Sequence, residues 1–260
     1  MKLQMFQIDA FTSQVFKGNP AAVVPLERWL PDQTLLDIGA ENNLSETAFF
    51  VPDGEGFHIR WMTPTSEVDL CGHATLASAY VLFEYLEPHR KEVRFASQSG
   101  PLIVRKDGAY LAMDFPSWMP KPRDLTEAMG RALGRTPKQV FAGRDLLAVY
   151  DSEDEVRALT PDFEAMKGLE WLGIIATAPG KQSDFVSRFF APRVGVPEDP
   201  VTGSAHCALT PYWAGRLGKS RMRAFQVSRR GGELFCELKG DRVIVSGAAA
   251  RYLEGTIYLP

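Results

Sequence analysis

Two short segments of the chain bring together side chains that could carry out acid/base chemistry. The first is CGHAT, residues 71–75, and the second is EDPVTGSAH, residues 198–206. Each segment leads into a long apolar stretch that begins with small residues. A helix start has unpaired N–H groups and a positive dipole end, so it binds anions such as carboxylates. Two such starts facing one cleft would hold the carboxylate of a small molecule.

The same residue types also have a structural interpretation. Asp, Thr and Ser are the usual helix-capping residues, and Pro200 suits a turn. Ser204 could therefore be a first-turn hydroxyl, and His73 a buried histidine with satisfied hydrogen bonds. The spacing alone leaves the structural and the functional interpretation equally open.

Two apolar helices must position these segments. Residues 72–86 and 203–218 have almost no polar face, and a helix that is apolar all round is buried all round. We expect Pro211 to bend the second helix. Further helices are predicted over 32–42 and 125–134. Strand patterns cover 3–11, 21–26, 47–51, 57–63, 92–97, 101–106, 110–115, 146–150, 171–178, 185–191, 223–229, 234–240, 242–248 and 256–260.

These elements predict an α+β fold of two similar domains. In each, a curved, mostly antiparallel or mixed β-sheet wraps around a central buried α-helix. The boundary is expected at the linker 116–124, which contains three prolines, so the domains cover 1–116 and 117–260. The final strand, 256–260, is a candidate to return to the first domain.

Composition excludes several classes of function. The 260 residues are 45% hydrophobic and 23% charged with a net charge of -3, and neither an 18-residue apolar run nor a long basic run occurs. The three cysteines are an odd number, and the N-terminus lacks the order of a secretory signal. We therefore expect free thiols, a cytoplasmic location, and neither membrane nor nucleic acid as a partner.

Four segments, in order along the chain, resemble the motifs of the phenazine biosynthesis PhzF-like family, which has the diaminopimelate epimerase-like fold. They are GNPAAVV (18–24), NNLSETAFF (42–50), TPTSEVDLCGHATLASA (63–79) and GVPEDPVTGSAH (195–206). The resemblance implies two similar domains with an active site in the cleft between them, usually in a homodimer. It implies no metal, nucleotide or organic cofactor. The best understood member isomerises a dihydro-hydroxyanthranilate by moving a proton.

By this resemblance Glu46 is the general acid/base. A carboxylate in a poorly hydrated cleft has a raised pKa and can take a proton from one carbon and return it to another. The resemblance also places His73, Asp199 and Ser204 in the pocket as catalytic or orienting groups. The substrate's carboxylate would be held by residues at the two helix starts, which are Gly72, His73, Thr202, Gly203 and Ser204. Asn19 is assigned to shaping a turn, and His206 and Cys207 to core packing.

Three alternatives stay open. A racemase of this fold uses two cysteines, and Cys71 stands at the first position, but Asp199 occupies the second. A Cys71/Glu46 or Glu46/Asp199 pair could still act on an amino acid. The chain could also bind a small molecule without catalysis. A metal site made of Cys71, His73, His206 and Cys207 has spacing unlike common zinc modules.

The motifs do not specify the identity of the substrate. CGHAT and EDPVTGSAH replace the AGHPL and EDAATGSAA of the phenazine enzyme, which could alter what fits the pocket. The sequence therefore predicts a cofactor-independent isomerase of a small carboxylated metabolite, more readily than an enzyme of phenazine synthesis itself.

Overall fold

The computed structural model describes all 260 residues, with strands far outnumbering helices. The strands are β1 (Lys2–Ala10), β2 (Asn19–Pro25), β3 (Glu46–Asp53), β4 (Gly56–Met62), β5 (Glu67–Val68), β6 (Glu92–Ala96), β7 (Leu102–Asp107), β8 (Tyr110–Pro116), β9 (Lys121–Arg123), β10 (Gln139–Ala142), β11 (Leu146–Val149), β12 (Ile174–Pro179), β13 (Phe185–Ala191), β14 (Val196–Asp199), β15 (Arg221–Gln226), β16 (Gly232–Lys239), β17 (Arg242–Gly247) and β18 (Ala249–Tyr258). The α-helices are α1 (Asp32–Asn42), α2 (Gly72–Val81), α3 (Glu127–Leu133), α4 (Glu153–Arg157), α5 (Phe163–Lys167) and α6 (His206–Leu217).

The chain divides into two compact units. The first contains Met1–Asp114 and Ser246–Pro260, and the second contains Phe115–Val245. The sequence-based boundary followed residue 116, and the return strand was expected only over 256–260. In the structure β18 is longer, because its pairing with β1 runs from Lys2↔Tyr258 to Ala10↔Ala249. The mixed sheet and few helices confirm the predicted fold class.

The sheet of the first unit is mixed. Its strands pair in the order β18, β1, β2, β3, β4, β6, β7 and β8, with β5 also paired to β4. Only the β2–β3 and β4–β6 pairs are parallel. A parallel pair needs a crossover connection, and α1 supplies it between β2 and β3.

Helix α2 is the buried helix of the first unit. Eight of its ten residues are buried, and it packs against β1, β2 and β3. Its small residues, Ala74, Ala77 and Ala79, let the sheet approach closely. The helix predicted over 72–86 is α-helical only to Val81. Residues Leu82–Leu86 continue as a π-helix, in which the Glu87 N–H donates to the Leu82 carbonyl five residues earlier.

The second unit has its own mixed sheet around α6. Its strands pair in the order β9, β10, β11, β12, β13, β15 and β16, and β14 also pairs with β13. Helix α6 packs against β15 and β16. Pro211 lies inside α6, as predicted, and cannot donate to the Cys207 carbonyl. The N–H of Trp118 donates to that carbonyl instead, at 2.9 Å.

The predicted boundaries differ from the structure mainly at short elements. The segment 203–205 is a turn, so the helix predicted from 203 begins at His206. The expected linker 116–124 contains β9, and α4, α5, β10 and β14 were not predicted. The missed elements are too short to show a clear apolar period, and the two helices among them are stabilised by local caps, such as the capping box of Ser152 and Glu155 in α4.

Candidate active site

Glu46 is the first residue of β3. Helix α1 ends at Asn42, and Asn43 adopts the left-handed conformation that turns the chain toward the strand. The Asn42 side-chain amide donates to the Thr47 hydroxyl at 3.1 Å, which ties the helix end to the strand start. Glu46 pairs in register with Ala21 of β2, and its side chain is 16% exposed. The pairing of β3 with β2 therefore fixes the backbone position from which the Glu46 side chain extends.

His73 is the centre of a polar cluster in the first unit. Its Nε2 lies 3.2 Å from Glu46 Oε2, a close contact that is not aligned as a hydrogen bond. Its Nδ1 lies 3.1 Å from Asn19 Nδ2 and 3.4 Å from Cys71 Sγ. With the amide nitrogen of Asn19 placed toward the ring, Nδ1 accepts, and the ring proton is assigned to Nε2. The imidazole therefore presents an N–H to the Glu46 carboxyl group.

The imidazole of His73 is neutral at physiological pH. Burial lowers the pKa of His73 to about 3, and the Pro20 carbonyl only partly opposes this shift. The contact with Glu46 is consequently one between a carboxyl group and a neutral ring. Glu46 meets a hydrogen-bond donor there rather than a second full charge.

Neither apolar helix has a side-chain cap at its start. Cys71 precedes α2 and Ala205 precedes α6, and in both cases no side chain accepts from the first turn. The capping interpretation of EDPVTGSAH is therefore not what the structure shows. The first-turn N–H groups of Gly72 and His73, and those of Gly203 and Ser204 in the turn before α6, have no intrahelical acceptors.

Asp199, Thr202, Gly203 and Ser204 lie together in the second unit. Asp199 ends β14, and its Oδ2 accepts from the Thr202 hydroxyl at 2.5 Å. Gly203 and Ser204 follow in a turn in which the His206 N–H donates to the Gly203 carbonyl at 3.0 Å. The carboxylate and the turn are therefore joined through Thr202.

His206 and Cys207 are buried, as core packing predicted. The His206 Nδ1 lies 2.8 Å from the Thr202 carbonyl, and because a carbonyl only accepts, the proton is on Nδ1. Burial lowers the pKa of His206 to about 4 and raises the pKa of Cys207 to about 12. His206 is therefore neutral, and it also anchors the turn, which the sequence did not indicate.

Two residues at the site were missed or misassigned. Asn19 was assigned to a turn, but it begins β2, is fully buried and contacts His73. Gln226 of β15 was not considered, although its side chain bonds to Thr202 and Asp199. Nothing local marks Gln226, because its partners are 24 and 27 residues away and meet it only through strand pairing. The GNP segment did mark Asn19.

The first-unit cluster also has a donor set that zinc accepts. One ligand atom each from Glu46, Cys71 and His73 lies within 4.8 Å of the others. Cys71 faces Nδ1 whereas Glu46 faces Nε2, so the donors lie at different ring nitrogens. Of the four residues in the earlier metal hypothesis, Cys71 and His73 belong to this cluster.

A comparison with known proteins identifies the family. The model of the PhzC-PhzF family, described as phenazine biosynthesis-like protein, matches residues 8–255. The chain belongs to this family. It is 51% identical over 259 residues to an uncharacterized isomerase of Pseudomonas aeruginosa, and all of both chains is covered. A PhzF family protein of Enterococcus faecalis has a solved structure with a TM-score of 0.98, 48% identity and full coverage of both chains.

More distant structures share only the fold. A hydroxyproline epimerase from Agrobacterium vitis aligns with a TM-score of 0.62 at 12% identity, over 98% of this chain and 92% of that one. The fold therefore resembles that of epimerases. No helix of this PhzF family protein combines the length and apolarity that a membrane span requires.

Proposed function

We propose that this protein is a cofactor-independent isomerase that moves a proton within a small carboxylated metabolite. The observation that carries the proposal is the half-buried Glu46 carboxyl group, 3.2 Å from a neutral imidazole. Support also comes from relatives named isomerases and from the four ordered motifs.

Glu46 acts as the single acid/base in the proposed mechanism. Its carboxylate takes a proton from a carbon whose C–H bond is acidified by an adjacent π-system, and the electron pair moves into that system. The protonated Glu46 then returns the proton to a second carbon, which restores the carboxylate. The His73 N–H faces Glu46 and stabilises its charged form before the first step and after the second.

The substrate's carboxylate is held by backbone N–H groups in this proposal. Those of Gly203 and Ser204, with those of Gly72 and His73, have no intrahelical acceptors and lie at positive helix ends. Asp199 and Ser204 orient the amino and hydroxyl groups of the substrate. We propose, on the family resemblance, that the two groups of residues serve one ligand.

Geometry disfavours one of the racemase alternatives. A carbon flanked on opposite faces by two acid/base groups, each at about 3–3.5 Å, separates those groups by roughly 6–7 Å. The ligand atoms of Cys71 and Glu46 lie within 4.8 Å of each other. A Cys71/Glu46 pair is thus too close for two-base racemisation. The Glu46/Asp199 pair is tested by loss of optical activity when single-enantiomer amino acids are incubated in D₂O.

The test of the proposal is hydrogen exchange into the substrate. A metabolite fraction from cells is incubated in D₂O with the protein, and mass spectrometry detects metabolites that gain carbon-bound deuterium. We expect the wild type to label at least one carboxylated metabolite and Glu46→Gln to label none. Glu27→Gln, which changes an exposed glutamate, is the matched control and should behave as the wild type. Equal labelling by Glu46→Gln rejects the acid/base role.

A binding protein without catalysis would give a different result. It would retain the same metabolite during gel filtration in the wild type and in Glu46→Gln, and neither would promote exchange. From the resemblance we also propose a cytoplasmic homodimer. Light scattering measures its mass, for which the chain alone would give 28.9 kDa.

A further inference from the structure

A buried glutamine that no motif marks holds the turn between Asp199 and Ser204. Gln226 is the last residue of β15, and its side chain is fully buried. Its Oε1 accepts from the Thr202 N–H at 2.8 Å, and its Nε2 donates to the Asp199 carbonyl at 2.7 Å and to Thr202 Oγ1 at 3.1 Å. One side-chain amide therefore makes three hydrogen bonds to the same turn.

The donors and acceptors around Gln226 fix the direction of each bond. The Thr202 N–H only donates and the Asp199 carbonyl only accepts, so the two ends of the amide cannot be exchanged. Because Nε2 donates to Thr202 Oγ1, the hydroxyl proton is free to point at Asp199 Oδ2, 2.5 Å away. The result is a directed chain from Gln226 through Thr202 to the Asp199 carboxylate, in which each bond polarises the next.

All three polar groups of Thr202 are engaged within the second unit. Gln226 accepts from the Thr202 N–H and donates to the Thr202 hydroxyl, while the His206 Nδ1–H donates to the Thr202 carbonyl. Thr202 therefore has no backbone N–H left for a ligand. The neighbouring N–H groups of Gly203 and Ser204 can still donate to a ligand. The hydrogen bonds of Gln226 and His206 to Thr202 set the direction of these N–H groups.

We propose that Gln226 is a positioning residue of the isomerase. Acting through Thr202, it sets the orientation of the Asp199 carboxylate and of the Gly203 and Ser204 N–H groups. This inference rests on the proposed function, and it reassigns Thr202 from substrate contact to a link between Gln226 and Asp199.

Two substitutions separate positioning from packing. Gln226→Met keeps a side chain of similar length but makes none of the three hydrogen bonds. In its ionised form, Gln226→Glu keeps an acceptor for the Thr202 N–H but has no donor, so the Thr202 hydroxyl proton turns toward the new carboxylate and away from Asp199. We expect both to lower deuterium exchange about 100-fold, the effect of a displaced reacting group.

The control must lose buried hydrogen bonds elsewhere in the same unit. Thr177→Val removes the bonds of the Thr177 hydroxyl to the Val186 carbonyl and to the Trp213 indole. It should lower the melting temperature while exchange stays near the wild-type rate. Wild-type exchange in Gln226→Met or Gln226→Glu would overturn the proposal.

A second pair of variants covers the case in which Gln226→Met does not fold. Thr202→Val removes only the hydroxyl and should reduce exchange, whereas Thr202→Ser keeps the hydroxyl and should restore it. Equal exchange in these two variants also overturns the proposal.

A structural measurement distinguishes failure of this inference from failure of the proposed function. If the wild type promotes no exchange, the isomerase proposal fails. Crystal structures still test whether Gln226 positions Asp199 and the turn that follows it. We expect the Asp199 carboxylate and the Gly203 N–H to change direction in Gln226→Met. An unchanged carboxylate and turn in that variant would contradict a positioning role.

Discussion

The polar groups of the two units are organised in different ways. In the first unit the groups that could move protons touch one another directly, since His73 contacts Glu46, Cys71 and Asn19. In the second unit Asp199 is held by a buried network that runs through Thr202 and Gln226. Under the proposed function, this contrast would separate a carboxyl group that exchanges its proton from a hydrogen-bonded turn that binds the substrate's carboxylate.

The two buried histidines show the same difference. Both are neutral, because burial lowers the pKa of His73 to about 3 and that of His206 to about 4. Their tautomers are opposite. The Nε2–H of His73 faces a carboxyl group, whereas the Nδ1–H of His206 donates to a backbone carbonyl. The His73 ring therefore faces the proposed acid/base, whereas the His206 ring is bonded to the turn.

Replacing His73 should have the largest effect in this comparison. His73→Gln removes the ring that faces Glu46, and we expect deuterium exchange to fall about 100- to 1,000-fold, within the range of general acid/base catalysis. The exposed His89 offers a matched control, His89→Gln, with wild-type exchange. If His73→Gln exchanged normally while folded, the first unit would not be the reactive one.

Ser204→Ala should affect the reaction with little effect on the fold. The Ser204 hydroxyl caps no helix, so its loss should change the free energy of unfolding by less than about 0.5 kcal/mol. We expect exchange to fall about tenfold, the cost of one lost hydrogen bond to a substrate. Denaturant unfolding and the exchange assay measure the two effects. A large loss of stability would show that Ser204 is structural.

Acid should destabilise the protein through the two histidines. Their pKa values are lowered by folding, to about 3 and about 4, from an ordinary value near 6.5. Between these limits the unfolded state binds more protons, so the free energy of unfolding falls as the pH falls. Each histidine contributes up to about 1.4 kcal/mol per pH unit below 6.5.

Urea unfolding at pH 7, 6 and 5 measures this dependence. In His206→Gln, the slope of the free energy of unfolding against pH should decrease by the contribution of one histidine. The variant should also be less stable than the wild type at every pH. An unchanged slope in that variant would mean that His206 is not the neutral, buried group described above.

The smallest effect concerns the thiols of the second unit. Burial raises the pKa values of Cys207 and Cys236 to about 12, so neither forms a reactive thiolate near neutral pH. Mass spectrometry after brief treatment with iodoacetamide should find both unlabelled in the folded protein and labelled in urea. Rapid labelling of Cys207 in the folded state would contradict its role in the core.

The sequence predicted what local patterns can encode. Most of the strands, helix α1 and the two apolar helices follow from apolar patterns, and the NLSET and CGHAT segments place Glu46 and His73 beside a strand start and a helix start. The π-helical end of α2 was not predicted, because the apolar pattern continues through Leu86. Periodicity does not distinguish an α-helix from a π-helix.

Gln226 could not be predicted for a different reason. It meets Thr202 because β13 and β15 pair in parallel, with Ser187 opposite Gln226, and no local pattern announces that pairing. Asn19 likewise reaches His73, 54 residues away, through the tertiary fold. The motifs therefore mark the proposed acid/base and its neighbours, and the structure adds the buried groups that contact them.

The structure of a trapped complex tests the account most directly. Glu46→Gln should bind the exchanging metabolite without converting it, so a crystal structure of that complex can be determined. The account predicts a carbon of the ligand within roughly 3.5 Å of the side chain at position 46. It also predicts the ligand carboxylate about 3 Å from the N–H groups of Gly203 and Ser204. A ligand bound away from position 46, or with its carboxylate directed elsewhere, would contradict it.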